Sequence, residues 1–131
     1  MDIAKCLDLV DELWDRDVGV AAPGIVELAV SGSECPGGRL TAEDVYALEG
    51  ALTEELTTRR GAAARWGTGT LQERMSRGGE IPEPWAGLAP QAVELRAWKN
   101  ARGRWLIITV ADTDPESEVR LLLAVSDVVP D

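Results

Sequence analysis

The sequence predicts an α+β fold, with two or three N-terminal helices packed on one face of a C-terminal three-stranded antiparallel meander. Three observations carry that expectation. Apolar residues before position 66 recur at helical spacing, residues 92–126 hold alternating and β-branched runs, and residues 67–91 between them are dense in glycine and proline. The 131 residues, 45% hydrophobic and 27% charged, are expected to form one domain whose core needs no disulfide staple.

The first helix rests on Ile3, Cys6, Leu7, Val10, Leu13 and Trp14, with Asp8, Asp11, Glu12 and Asp15 between them. Asp2 is placed to cap it and Gly19 to end it. The segment from Pro23 to Gly32 reads two ways. Val26, Leu28 and Val30 alternate like a strand, but Pro23 suits a first helical turn and Gly32 a stop, so a short helix is expected.

A stronger signal follows at Thr41. Thr41 and Asp44 have capping-box spacing, and Leu40 and Val45 occupy the positions of a hydrophobic staple. Val45, Leu48, Leu52 and Leu56 then form a stripe that runs to Arg59 or Arg60, where Gly61 offers a stop. Ala62 to Trp66 would extend this helix only at the cost of an internal glycine, about 1 kcal/mol. Residues 67–91 are read as an irregular connection with a short helix near Leu71 to Ser76.

In the meander, Val93–Lys99 and Arg104–Ala111 flank a four-residue loop, Asn100 to Gly103, and Glu118–Ser126 follows a polar turn. Setting Lys99 opposite Arg104 places Trp98 opposite Trp105, and pairing Ala111 with Glu118 brings in the third strand. Val93, Leu95, Ala97, Leu106, Ile108, Val110, Val119, Leu121 and Leu123 then share an apolar face for the helices. The other face is mixed, with Glu94, Arg96, Trp98, Trp105, Thr109 and Arg120. A slip of one residue would exchange those sets.

The chain contains no histidine, which excludes Ser-His-Asp and Cys-His hydrolases, histidine zinc sites and histidine general bases. Its two cysteines, Cys6 and Cys35, have neither metal-ligand nor Cys-x-x-Cys spacing, and Cys35 beside Glu34 reads as an ordinary loop cysteine. Asp112, Asp114, Glu116 and Glu118 alternate like a calcium loop but lack its glycine and its final glutamate, so a solvated turn is expected. Trp66 to Thr70 is glycine-containing but lacks the lysine of a phosphate loop. No cofactor and no metal are expected, and the enzyme class is disfavoured.

The formal net charge is −10, unevenly spread. Residues 1–60 hold 13 acids and 5 bases (net −8), residues 61–105 hold 4 and 7 (net +3), and residues 106–131 hold 6 and 1 (net −5). Acidity disfavours nucleic acid and favours a basic protein partner. No apolar run is long enough for a membrane span, and the N-terminus shows no secretory pattern, so a cytoplasmic setting is expected.

The candidate binding residues lie mainly in the basic middle third. They are Trp85, Trp98 and Trp105 with Arg96, Arg102 and Arg104, together with Arg120, because tryptophan and arginine are frequent interface anchors. The competing account makes Trp98 and Trp105 a cross-strand pair covered by the proline-rich loop, plugs Trp85 into the sheet and leaves the arginines to solvate its rim. The function expected is a small non-enzymatic interaction module, of the inhibitor or immunity kind, for a basic partner; self-association through the mixed face is a further option. The alternative is a small-molecule binder or enzyme with a pocket between the sheet and the 67–91 segment, where Arg96 and Arg120 hold an anion and Glu94 serves as acid or base.

Overall fold

The computed structural model describes residues 3–14, 25–35, 38–100, 103–114 and 116–127. In chain order the elements are α1 (Ile3–Trp14), β1 (Val26–Val30), β2 (Glu34–Cys35), β3 (Gly38–Arg39), α2 (Ala42–Arg60), β4 (Ala64–Gly67) and α3 (Thr68–Ser76). After these come a helical turn α4 (Trp85–Leu88), a 3-10 turn at Ala89–Gln91, β5 (Glu94–Lys99), β6 (Trp105–Ala111) and β7 (Arg120–Ser126). The α+β class is thus present, but the sheet is larger than the expected meander. It has five antiparallel strands in the order β1-β7-β6-β5-β4, so the meander forms its centre and one edge neighbour is added on each side. None of the described helices is long and apolar enough to cross a membrane.

Two of those strands correct the reading of residues 1–66 as helical. Val26–Val30 is a strand, not a helix, because it pairs with β7 along Val26–Leu123 to Val30–Arg120, with a bulge between Glu27 and Ala29. Ala64–Gly67 does not prolong α2. Gly61, at φ +90°, ends that helix, and the next residues pair with β5. The proposed caps Asp2 and Gly19 lie outside the described residues.

The helix α2 begins as its sequence requires. The Thr41 hydroxyl accepts from the Asp44 N–H at 3.1 Å, and the Asp44 carboxylate accepts from the Thr41 N–H at 2.8 Å. Leu40 and Val45, the staple pair, are both buried in the same core. Hydrogen bonding from the Thr41 backbone N–H, and after it from the Thr41 side chain, holds the Asp44 carboxyl below its ordinary value of 3.8. A depressed folded-state pKa gives stability that is present above the unfolded value and lost as pH falls through the folded one. Asp44→Asn is therefore expected to be less stable than the parent at neutral pH, with the gap closing in acid. Urea midpoints measured across that range test this, and a gap that persists unchanged below pH 3.8 would contradict it.

Both faces of the sheet are covered. On the first, Cys6, Leu7 and Val10 of α1 and Val45, Leu52 and Leu56 of α2 meet Trp98, Leu106, Ile108, Leu121, Leu123 and Val125. On the second, Leu71 of α3 and Trp85, Leu88 and Ala89 meet Leu95, Ala97, Ile107, Ala111, Leu122 and Ala124. The expectation of helices on one face only is corrected by this second layer, which residues 67–91 build. That segment holds two helices rather than an irregular connection. Thr68 anchors it, donating its hydroxyl to the Ala92 carbonyl at 2.7 Å while its N–H reaches the Val93 carbonyl at 3.1 Å.

The register of the central hairpin also differs by one residue. Lys99 pairs with Trp105, not Arg104, and Trp98 pairs with Leu106. The Asn100 N–H donates to the Arg104 carbonyl at 2.9 Å, so only three residues lie inside the turn, and Gly103 at φ +84° takes the left-handed position such a turn demands. A loop one residue shorter moves β5 by one place against β6. Leu95 and Ala97 consequently share the second face with Ile107, while Trp98 joins Leu106 and Ile108 on the first. Along β6–β7 the pairing starts at Ala111–Arg120, two residues from the expected partner, which leaves the facing unchanged.

Candidate functional site

The expected tryptophan and arginine patch is dispersed by this register. Trp98 is 2% exposed on the first face and donates its indole N–H to the Gly61 carbonyl at 3.1 Å. Trp85 is wholly buried on the second face. Trp105 lies on the second face too, where it meets Trp66 edge-on at 5.4 Å, and Trp66 in turn meets Trp85 at 4.8 Å. The three-ring cluster is one that the sequence hinted at through Trp85, but with Trp66 where Trp98 was expected. Trp98 and Trp105 are not a cross-strand pair.

The arginines are likewise engaged. Arg104 is 1% exposed and holds the Asp127 carboxylate with two nitrogens, at 2.9 and 3.3 Å. Arg96 lies on the first face and donates to Glu49 of α2 at 2.6 Å, with Glu94 at 3.6 Å. Arg120 lies on the second face, donating to Gln91 at 2.6 Å and to Glu27 at 3.2 Å. Arg96 and Glu94 therefore stand on the opposite side of the sheet from Arg120 and from the 67–91 segment. These three side chains do not converge on one ligand. Arg102 lies outside the described residues.

What the structure does bring together is charge of one sign. The Ser31 N–H donates to the Val119 carbonyl and the Gly32 N–H to the Leu40 carbonyl, each at 2.8 Å, so the β1–β2 turn, the start of α2 and the β6–β7 connection meet at one end of the sheet. Exposed at that end are Glu34, Glu43, Asp44, Asp112, Asp114, Glu116 and Glu118. Arg39 there pairs with Glu34 at 3.8 Å. The opposite end brings together Arg59, Arg60 and Lys99, with Glu55 paired to Arg59 at 3.0 Å and Asp127 paired to Arg104, because the Trp98–Gly61 hydrogen bond ties the C-terminus of α2 to the β5–β6 hairpin. Among the described residues the charge is therefore more acidic where α2 starts than where it ends.

Tyr46 stands at the acidic end. Its hydroxyl donates to the Asp112 carboxylate at 2.6 Å, which links α2 to the end of β6. That hydrogen bond, then burial, then the Asp112 charge raise the phenol above its ordinary value of 10.0. Tyr46 is nonetheless 44% exposed, and Val93 nearby is 72% exposed. Both line a groove of about 180 Å³ with Glu49, Glu94, Arg96, Val110 and Asp112. Of the described large apolar side chains only Ile25, Tyr46 and Val93 are exposed to this degree, so two of the three share one groove.

Sequence reasoning passed over Tyr46 and assigned Val93 to the apolar face. One signal was available: the chain has a single tyrosine and no phenylalanine, and the tyrosine falls off the apolar stripe of α2. Among the described residues no group of three or more histidine, cysteine, aspartate or glutamate side chains is placed to hold a metal ion. No protein-family model matches the chain, and neither a curated protein nor a solved structure does.

Proposed function

We propose that this chain is a small acidic, non-enzymatic interaction module of the inhibitor or immunity kind, which neutralises a basic protein partner through its acidic end. The observation that carries the reading is the gathering of seven exposed carboxylates at one end of the sheet, one of which, Asp112, stands beside the exposed Tyr46 and Val93. A like-signed end of this kind steers an oppositely charged partner, and adjacent exposed apolar groups supply short-range affinity. The surface differs from the tryptophan patch that the sequence suggested, but the partner chemistry is the same. Cys6, buried and outside any disulfide, fits a reducing, cytoplasmic setting.

Capture from the native host followed by stopped-flow association with the captured protein tests the reading. The partner is expected to be basic, and its association rate to fall about tenfold or more between low and moderate salt. Replacing Asp114, Glu116 and Glu118 with Asn, Gln and Gln should slow association and flatten the salt dependence, with dissociation little changed. An acidic partner, or a rate that ignores both salt and the triple substitution, overturns it.

A further inference from the structure

Two concavities open at the acidic end, one beside Asp114, Glu118 and Arg120 and one beside Tyr46, and the make-up of the Tyr46 groove is that of a receptor for one particular side chain. We propose that it is an anchor pocket for an arginine of the basic partner. This rests on the acidic-module reading and adds to it a place and a recognition chemistry.

The argument starts from size. About 180 Å³ is small against the ~300–1,000 Å³ of metabolite pockets, yet it equals the room of roughly six waters at ~30 Å³ each, enough for a guanidinium and part of its stem. The lining has the two characters that an arginine needs. Val93, Val110 and the Tyr46 ring offer apolar surface for the methylene stem and an aromatic face for a planar cation. Glu49, Glu94 and Asp112 supply three carboxylates, against the guanidinium of Arg96, which Glu49 already holds at 2.6 Å, and that of Arg65 on the Glu94 side.

The acceptors that remain are well disposed. Asp112 accepts from the Tyr46 hydroxyl through Oδ2, and among the described residues no cation pairs with it. Glu94 approaches Arg65 and Arg96 at 3.6 Å each, beyond hydrogen-bonding length. A carboxylate has about four acceptor positions, so each retains capacity for a forked donor. Arginine rather than lysine follows from that fork and from the ring beside it.

The test uses the isotope-labelled full chain and a capped peptide of alternating arginine and alanine, with citrulline and lysine twins. Backbone amides of Tyr46, Val93, Glu94 and Asp112 should shift with the arginine peptide and stay still with the citrulline one. The lysine twin should bind about threefold or more weakly than the arginine peptide. Tyr46→Ala and Asp112→Asn should each raise Kd by about threefold or more, whereas Tyr46→Phe, which keeps the ring and releases Asp112, should not. The spectra themselves report whether each variant is folded.

Shifts centred on Asp114–Glu118 or on α1, with the groove amides unmoved, overturn the pocket while leaving the acidic-module reading intact. Equal response to the citrulline or the lysine twin overturns the arginine assignment. An absence of shifts anywhere overturns both.

Discussion

Trp85→Ala is expected to lower folding stability by about 3–5 kcal/mol, the range for removing a fully buried tryptophan. The side chain is 0% exposed, packs against Trp66 at 4.8 Å and sits in the layer formed by Leu71, Leu88, Leu95, Ile107 and Leu122. Against the ~5–15 kcal/mol typical of a folded domain, that loss is a large fraction of the total. The urea midpoint should fall with little change in slope. Trp66→Ala, at a half-buried position of the same cluster, should cost clearly less. A Trp85→Ala penalty under about 1 kcal/mol would mean that the second helical layer is not integral to the fold.

Trp98→Ala carries a comparable expectation, about 3–5 kcal/mol, on the other side of the sheet. Its indole is 2% exposed, lies among Leu56, Leu106 and Val125, and bonds the Gly61 carbonyl that closes α2. Trp98→Phe separates the two contributions. It retains most of the apolar area and releases an exposed carbonyl to water, so its cost should be nearer 1–2 kcal/mol, given the usual net value of ~1 kcal/mol for one hydrogen bond. If Trp98→Ala instead left the urea midpoint untouched while weakening a partner, the side chain would have to be a surface anchor, contrary to its place in the core.

These two expectations measure what the sequence concealed. Composition and periodicity sufficed for the α+β class, for α1, and for α2 down to its capping box, because those signals are local. The strands β1 and β4 escaped notice for a physical reason. Val26 finds its partner at Leu123 and Ala64 finds its partner at Ala97, and short segments of ambiguous pattern are decided by such distant pairing rather than by propensity. The hairpin error was smaller and more consequential. Four residues were allotted to a turn that uses three, and the change of parity carried Trp98 from a surface row into the core and set Arg96 against α2.

The candidate site was legible only as a charge balance. That the acids would dominate, and that residues 112–118 would form a solvated acidic turn, could be read directly. Their neighbourhood with Glu43, Asp44 and Tyr46 could not, since it depends on which end of the sheet the start of α2 meets. Val93 illustrates the same limit. It ends an apolar-looking run, yet its position just before β5 leaves it in solvent.

The polarity along α2 has a consequence for the moments before any contact is made. Carboxylates crowd the helix start and arginines its end, and the helix macrodipole, positive at its start, runs against them. These formal charges outweigh the fractional ones of the backbone, so the charged ends of α2 act as a bar with an electric moment of its own. In the field of a positively charged body such a bar experiences a torque, and it turns its carboxylate end forward while still separated by a layer of water. Orientation is then selected by rotation at a distance rather than by repeated collisions, and salt, by shortening the reach of that field, would blunt the aim along with the attraction.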